Sequence, residues 1–277
     1  AISEMQELLR RLSQYDRELS AAVDNMDTAV EKVKELEQKS KDEGEAGSVD
    51  QQVIVEEFMT IKQMAKMSVG RKGNHLPILM QQYMRANIRE IATRENVINT
   101  MAEIEKIDPG LFRRTFKRQT NRIIPHTIIL PCYGEFGICW EPFQKFNRAT
   151  SRGRIGIPLY PKDLKTAIIY ALGDLRWQVA KETASYYWME EGLTGWYYQW
   201  FTDQKKRGDV KESFIADYYL WLTKEADGMQ KLDKDVRGVF WRNIPFPQEL
   251  KDKLRNRGFV YNELYKKDMN IAMSDGY

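Results

Sequence analysis

The sequence predicts a mainly α protein with a small β-sheet, an α+β class in which a long N-terminal helix or helical hairpin of coiled-coil type precedes a compact domain. Three observations carry this. Residues 1–43 contain no Gly and no Pro and repeat apolar residues every seven positions. Short runs that read as strands follow over about residues 123–160. Helical spacing of apolar residues then resumes and continues towards the C-terminus.

The arm comes first. Met5, Leu12, Leu19, Met26 and Val33 form one heptad row, and Leu8, Tyr15, Ala22, Ala29 and Leu36 form a second row three positions on. Leu9, Val23 and Val30 widen the stripe, which suits a hairpin or bundle as well as a two-stranded coil. At about 1.5 Å per residue this helix reaches roughly 60 Å. Gly44 to Ser48 breaks it. Val53, Ile54, Phe58, Ile61, Met64 and Ala65 then mark a second helix, and Gly70 to Asn74 a second break. Pro77 suits an early helical position, and apolar residues from Leu79 to Ile104 predict one helix ending near Lys106, before Asp108-Pro109-Gly110.

Beyond residue 111 the texture changes. Ile123-Ile124 and Thr127 to Leu130 read as short strands, Pro131 to Gly137 as a turn, and Ile138-Cys139-Trp140 and Arg154 to Tyr160 as further strands. Helices are expected near 164–182, 191–206, 211–226 and 247–257, with 259–265 helical or extended. The organisation is therefore a heptad arm over 1–47, a helical segment over 48–110 that packs on the arm or on the next domain, and an α+β domain over 111–277.

Composition bounds the function. Hydrophobic residues make up 42% of the chain, enough for a sizeable core, and charged residues 30%. No apolar run approaches the roughly 18 residues of a membrane span. No basic region and apolar core open the chain, so no signal peptide is read there. The missing initial Met leaves a removed export signal open. With Cys132 and Cys139 alone, the expectation is two free buried thiols, one optional disulfide being the alternative, and a cytoplasmic location. His126, Cys132 and Cys139 lack the spacing of a zinc knuckle.

The net charge of +3 hides an asymmetry. Residues 1–50 hold 13 acidic against 7 basic side chains, and residues 113–165 hold 11 basic against 3 acidic. Arg113, Arg114, Lys117, Arg118 and Arg122 would line one side of a helix, and Arg148, Arg152 and Arg154 continue the run. This stretch is a candidate surface for an anion or an acidic partner, the plain alternative being a solvated face balanced in space. Nucleic acid is not the expected partner, because the clustered Trp196, Tyr197, Tyr198, Trp200 and Phe201 read as core rather than as a stacking platform. No phosphate-cradling Gly-rich loop and no Gly-x-Ser-x-Gly elbow occurs.

One stretch resembles a known family. Trp188-Met189-Glu190-Glu191-Gly192-Leu193-Thr194 is similar to the Trp-x-x-Glu-Gly-Leu-Ala segment of gluzincin, peptidase MA-like metallopeptidases. The resemblance implies a zincin-like domain in which 154–160 is an edge strand, 164–182 is the helix that carries His-Glu-x-x-His in the family, and Glu191 matches the third zinc ligand. The position of His-Glu-x-x-His reads Gly173-Asp174-Leu175-Arg176-Trp177. Gly173 has no side chain and an indole cannot ligate, so no metal, no cofactor and no catalytic residue is expected, with Asp174 and Glu191 as relics. The function implied is a non-catalytic interaction or scaffold protein. Its former substrate groove, along the edge strand, would bind peptide or protein, and residues 1–43 would support self-association. The alternatives are a hydrolase with an atypical or metal-independent site, and an anion- or nucleic-acid-binding protein using residues 113–154.

Overall fold

The computed structural model describes residues 2–42, 49–74, 92–116, 119–140, 152–184 and 187–274. Lys117, Arg118, Lys145 and Arg148, the Gly44–Ser48 break and positions 77–91 of the expected third helix lie outside them. The class is mainly α with a small β-sheet.

Helix α1 (Ile2–Asp42) realises the heptad run, and α2 (Val49–Gly70) follows it. An ion pair between Asp27 and Lys62 ties the two together. Helix α3 (Arg94–Ile107) does not continue from Pro77 as expected. Thr93 is extended and its side chain accepts a hydrogen bond from Asn96 N, so a new helix starts there. The apolar spacing ran across this cap, which a single threonine sets. Val97, Met101 and Ile104 face inward. Asp108 ends the helix.

Arg113, Arg114 and Arg122, which follow it, are not on a helix. They lie on a hairpin of β1 (Arg113–Phe116) and β2 (Gln119–Arg122), which pairs Arg113 with Arg122 and Arg114 with Asn121. The segment lacks an apolar stripe to bury, and Thr115 and Thr120 meet across the strands with hydroxyls 3.0 Å apart. The expected i, i+4 alignment is thereby replaced by two-residue alternation.

A three-stranded sheet follows, of β3 (His126–Gly134), β4 (Ile138–Cys139) and β5 (Arg154–Pro161), in the order β3-β5-β4. Ile123 and Ile124 fall before β3, and Pro131 to Gly134 belong to it rather than to a turn. The expectation that 154–160 is an edge strand is overturned. β5 is the middle strand, parallel to β3 along its length and antiparallel to β4 at Ile155 and Gly156. Its run of apolar residues is that of a strand covered on both faces, with Ile155 and Ile157 fully buried.

Helix α4 (Leu164–Thr183) packs on this sheet. Asp163 caps it, accepting from Thr166 N at 2.7 Å. Then come α5 (Gly192–Asp203), α6 (Val210–Thr223), α7 (Lys234–Asn243), α8 (Gln248–Arg255) and α9 (Phe259–Ser274). Sequence reasoning passed over α7, although Val236, Phe240 and Trp241 recur at helical spacing behind the capping Asp233. The main core is aromatic. Trp177, Tyr197, Phe214, Tyr218, Trp221 and Phe240 interlock across α4 to α7, and Trp221 stacks on Phe246 with centroids 4.0 Å apart. α3 contributes to the same core.

A second, smaller core joins α2 to the sheet through Met64, Leu130, Cys132, Ile138 and Trp140. Asn74 fastens the end of this junction. Its Oδ1 accepts from Glu135 N and Phe136 N, at 2.9 and 3.0 Å, and its Nδ2 donates to Phe136 O and Ser68 Oγ. Both cysteines are free and buried. Among the described residues no helix is long and apolar enough to cross a membrane.

Candidate interaction site

Helix α4 is the element that the metallopeptidase resemblance matches to the family's His-Glu-x-x-His helix. Gly173 is fully enclosed, and a Cβ there would lie 2.9 Å from Cδ1 of Tyr218. Trp177 fills the next turn, with its ring 5.0 Å from Phe214, 5.7 Å from Trp188 and 6.1 Å from Tyr197. The face that would offer two ligands is thus closed by aromatic packing from α5 and α6.

Asp174 is held elsewhere. Its carboxylate is 1% exposed and turns towards β4 and α2. Oδ2 accepts from Cys139 N at 3.0 Å and from Arg71 Nη2 at 3.2 Å. Oδ1 makes no hydrogen bond and lies 3.6 Å from Lys211 Nζ. Arg71 also donates to Glu212 at 2.8 Å and to the carbonyl of Gly137. Burial pushes the Asp174 carboxyl above the usual carboxylate range, against the opposing pull of Lys211, Arg71 and the Cys139 amide. The sequence singled out Asp174 but not Arg71, Lys211 or Glu212, because tertiary contact alone brings them together, Arg71 from a position 103 residues away.

Glu191 caps α5 with its backbone, and Gly192 takes φ +61, a conformation that favours glycine. Thr194 Oγ1 closes the turn onto Trp188 O at 2.7 Å. Glu191 lines a cleft of about 350 Å³ with Arg113, Arg114, Arg176, Thr183 and Asn243. Arg176, Val179, Ala180 and Thr183 of that cleft sit roughly 140–240° round the axis of α4 from Asp174. Asp174 and the cleft that Glu191 lines are therefore on different sides of the helix.

The basic stretch is divided. Arg122 forms a two-armed pair with Glu105, at 2.7 and 2.6 Å. Arg114 leans into the cleft and donates to Arg152 O at 3.4 Å. Burial lowers the Arg114 pKa to about 10, and Glu182 opposes this. Burial likewise raises Glu182 to about 7, against Arg114 and Lys181. Arg113 and Arg152 are exposed and Arg154 is half-buried. Among the described residues no group of three His, Cys, Asp or Glu could hold a metal ion.

A larger concavity lies between α7 and α9, where no expectation had placed a site, and shares Asn243 with the first cleft. It is a groove of about 990 Å³. Trp241 and Asp268 form its floor, joined by a Trp241 Nε1 hydrogen bond of 2.8 Å, and Lys251 reaches Asp268 at 2.6 Å. Gly238 opens the α7 wall, since a Cβ there meets nothing within 4 Å. Three large apolar side chains stand on the rim: Phe259 is 76% exposed, Trp196 52% and Ile271 52%. Single exposed apolar residues are ordinary, whereas here three stand round one groove. Glu263 is paired with Lys266, which leaves Lys234, Arg242 and Lys267 against Asp235 on the rim among the described residues.

A family model described as a domain of unknown function (DUF8509) matches residues 185–275, the stretch from the start of α5 to the end of α9. No curated protein and no solved structure matches the chain.

Proposed function

We propose that this chain is a non-catalytic protein-binding module, zincin-like in descent, whose docking surface is the α7–α9 groove. The order β5, α4, α5 and the Glu191-Gly192 start of α5 support the descent. Closure of the 173/177 face by Tyr218, Phe214 and Tyr197, and the pinning of Asp174 by Arg71, support loss of the chemistry. A peptide site by strand addition on 154–160 is not part of the proposal, because β5 is flanked by β3 and β4.

The observation that carries the docking role is the exposed triad Trp196, Phe259 and Ile271 around an open trough. A small ligand needs a pocket that covers most of its surface. An open trough between two helices suits the apolar face of a third helix. The residual positive rim asks that helix to carry carboxylates beside its apolar stripe.

The test is photo-crosslinking. A photoreactive side chain at position 259 is compared with the same group at Asp203, which is exposed and outside the groove. In extract of the source cells, position 259 is expected to give discrete protein adducts that position 203 does not. Equal labelling at both positions, or none at either, overturns the docking reading.

A further inference from the structure

We infer that the occupant of the α7–α9 groove is helix α1 of a second copy of this chain, each copy lending its arm to the other. The inference rests on the docking reading above and adds the identity of the partner.

The chain carries two faces of complementary character. The groove is apolar at its rim and positive in balance, with Lys234, Arg242 and Lys267. The arm is apolar in heptads and acidic. Between Leu12 and Glu31 it has Asp16, Glu18, Asp24 and Glu31, besides the Asp27 paired with Lys62, against Arg17 alone. Within its own chain α1 leaves this stretch incompletely covered. Leu12, a member of the first heptad row, is 59% exposed. The acidic Asp24 and Glu31 are exposed on the same stretch.

Dimensions agree. α7 has 10 residues, so the groove wall runs about 15 Å, and three helical turns of the arm starting at Leu12 span it. Because arm and groove belong to one chain, two copies satisfy both by reciprocal exchange, a closed two-fold arrangement that leaves neither face bare.

The experiment is sedimentation equilibrium on the full chain. It uses wild type, Leu12→Asp, the double change Phe259→Asp with Ile271→Asp, and the charge reversal Lys234→Glu with Lys267→Glu. Leu12, Lys234, Phe259, Lys267 and Ile271 are exposed, and a melting curve for each variant verifies folding. Wild type is expected to dimerise, and each variant to raise the dissociation constant about tenfold or more. Adding Asp16→Lys and Glu18→Lys to the charge-reversed groove is expected to restore the dimer. A wild-type monomer at all concentrations overturns the inference. So does a dimer lost in Leu12→Asp but kept in both groove variants, which means arms pairing with arms. Crosslinking from position 259 separates the two levels. Adducts to another protein in extract, with none between purified copies, remove the second-copy partner and leave the docking surface. Absence of adducts in both removes the two together.

Discussion

A histidine at position 173 would have to enter the ring of Tyr218, and one at 177 would empty a site where three aromatic rings converge. Gly173→His with Trp177→His, the change that rewrites the family motif, is therefore expected to destabilise the fold by about 3 kcal/mol or more. It is also expected to gain no stability from added zinc, and urea melts with and without the metal check both points. Glu182 gives a pH-dependent case. Its folded pKa of about 7 lies above the ordinary 4.5, so its contribution is intact below pH 4.5 and fades as pH rises to 7. Glu182→Gln is expected to improve stability relative to wild type at pH 8 more than at pH 5. Denaturant melts at the two values decide it, and an equal difference at both would contradict the assignment.

At the scale of elements, Arg71 is the pin that joins the end of α2 to β4, α4 and α6. Arg71→Ala leaves Asp174 buried with fewer counter-charges and is expected to cost about 3–5 kcal/mol. The loss should shrink as pH falls, since a protonated Asp174 needs the arginine less, and amide exchange in α2 should rise first. In α7, Gly238→Ala is expected to raise stability by about 0.5–1 kcal/mol, because the position is helical and the space beside it is empty. A lower melting temperature would mean that the groove wall tolerates no methyl.

Those elements differ in how plainly the chain announces them. The arm was legible because its heptads are local and unbroken, and α4, α5, α6 and α8 because each couples a stripe to a stop. The hairpin was not, because Arg113 to Arg122 reads equally as a basic helix face until the strand partner is known. The central place of β5 was hidden as well, since strand order is a fact about partners rather than about Arg154–Pro161. Asp174 stood out, but its ring of Arg71, Lys211 and Glu212 is assembled by tertiary contact alone. The groove between α7 and α9 was illegible for a further reason: Phe259 and Ile271 look like core residues, and only packing shows that nothing covers them.

Across the whole molecule, the region matched by the family model does not close on itself. Tyr197 and Phe214 pack on Trp177 of α4, and Tyr218 donates at 2.8 Å to Asp108, which Arg176 grips at 2.8 Å. A chain of residues 185–275 alone is expected to show no cooperative thermal transition and to bind a hydrophobic dye. A sharp calorimetric peak from it would make that region an autonomous domain. The sheet order has its own consequence for biosynthesis. β3 and β4 are not bonded to each other, and both wait for β5, the last of the three to leave the ribosome. Until residue 161 is out, their polar edges and the Met64 cluster are naked. The nascent chain therefore passes through a stretch of translation in which holding factors, or a slow codon placed downstream, decide whether it aggregates.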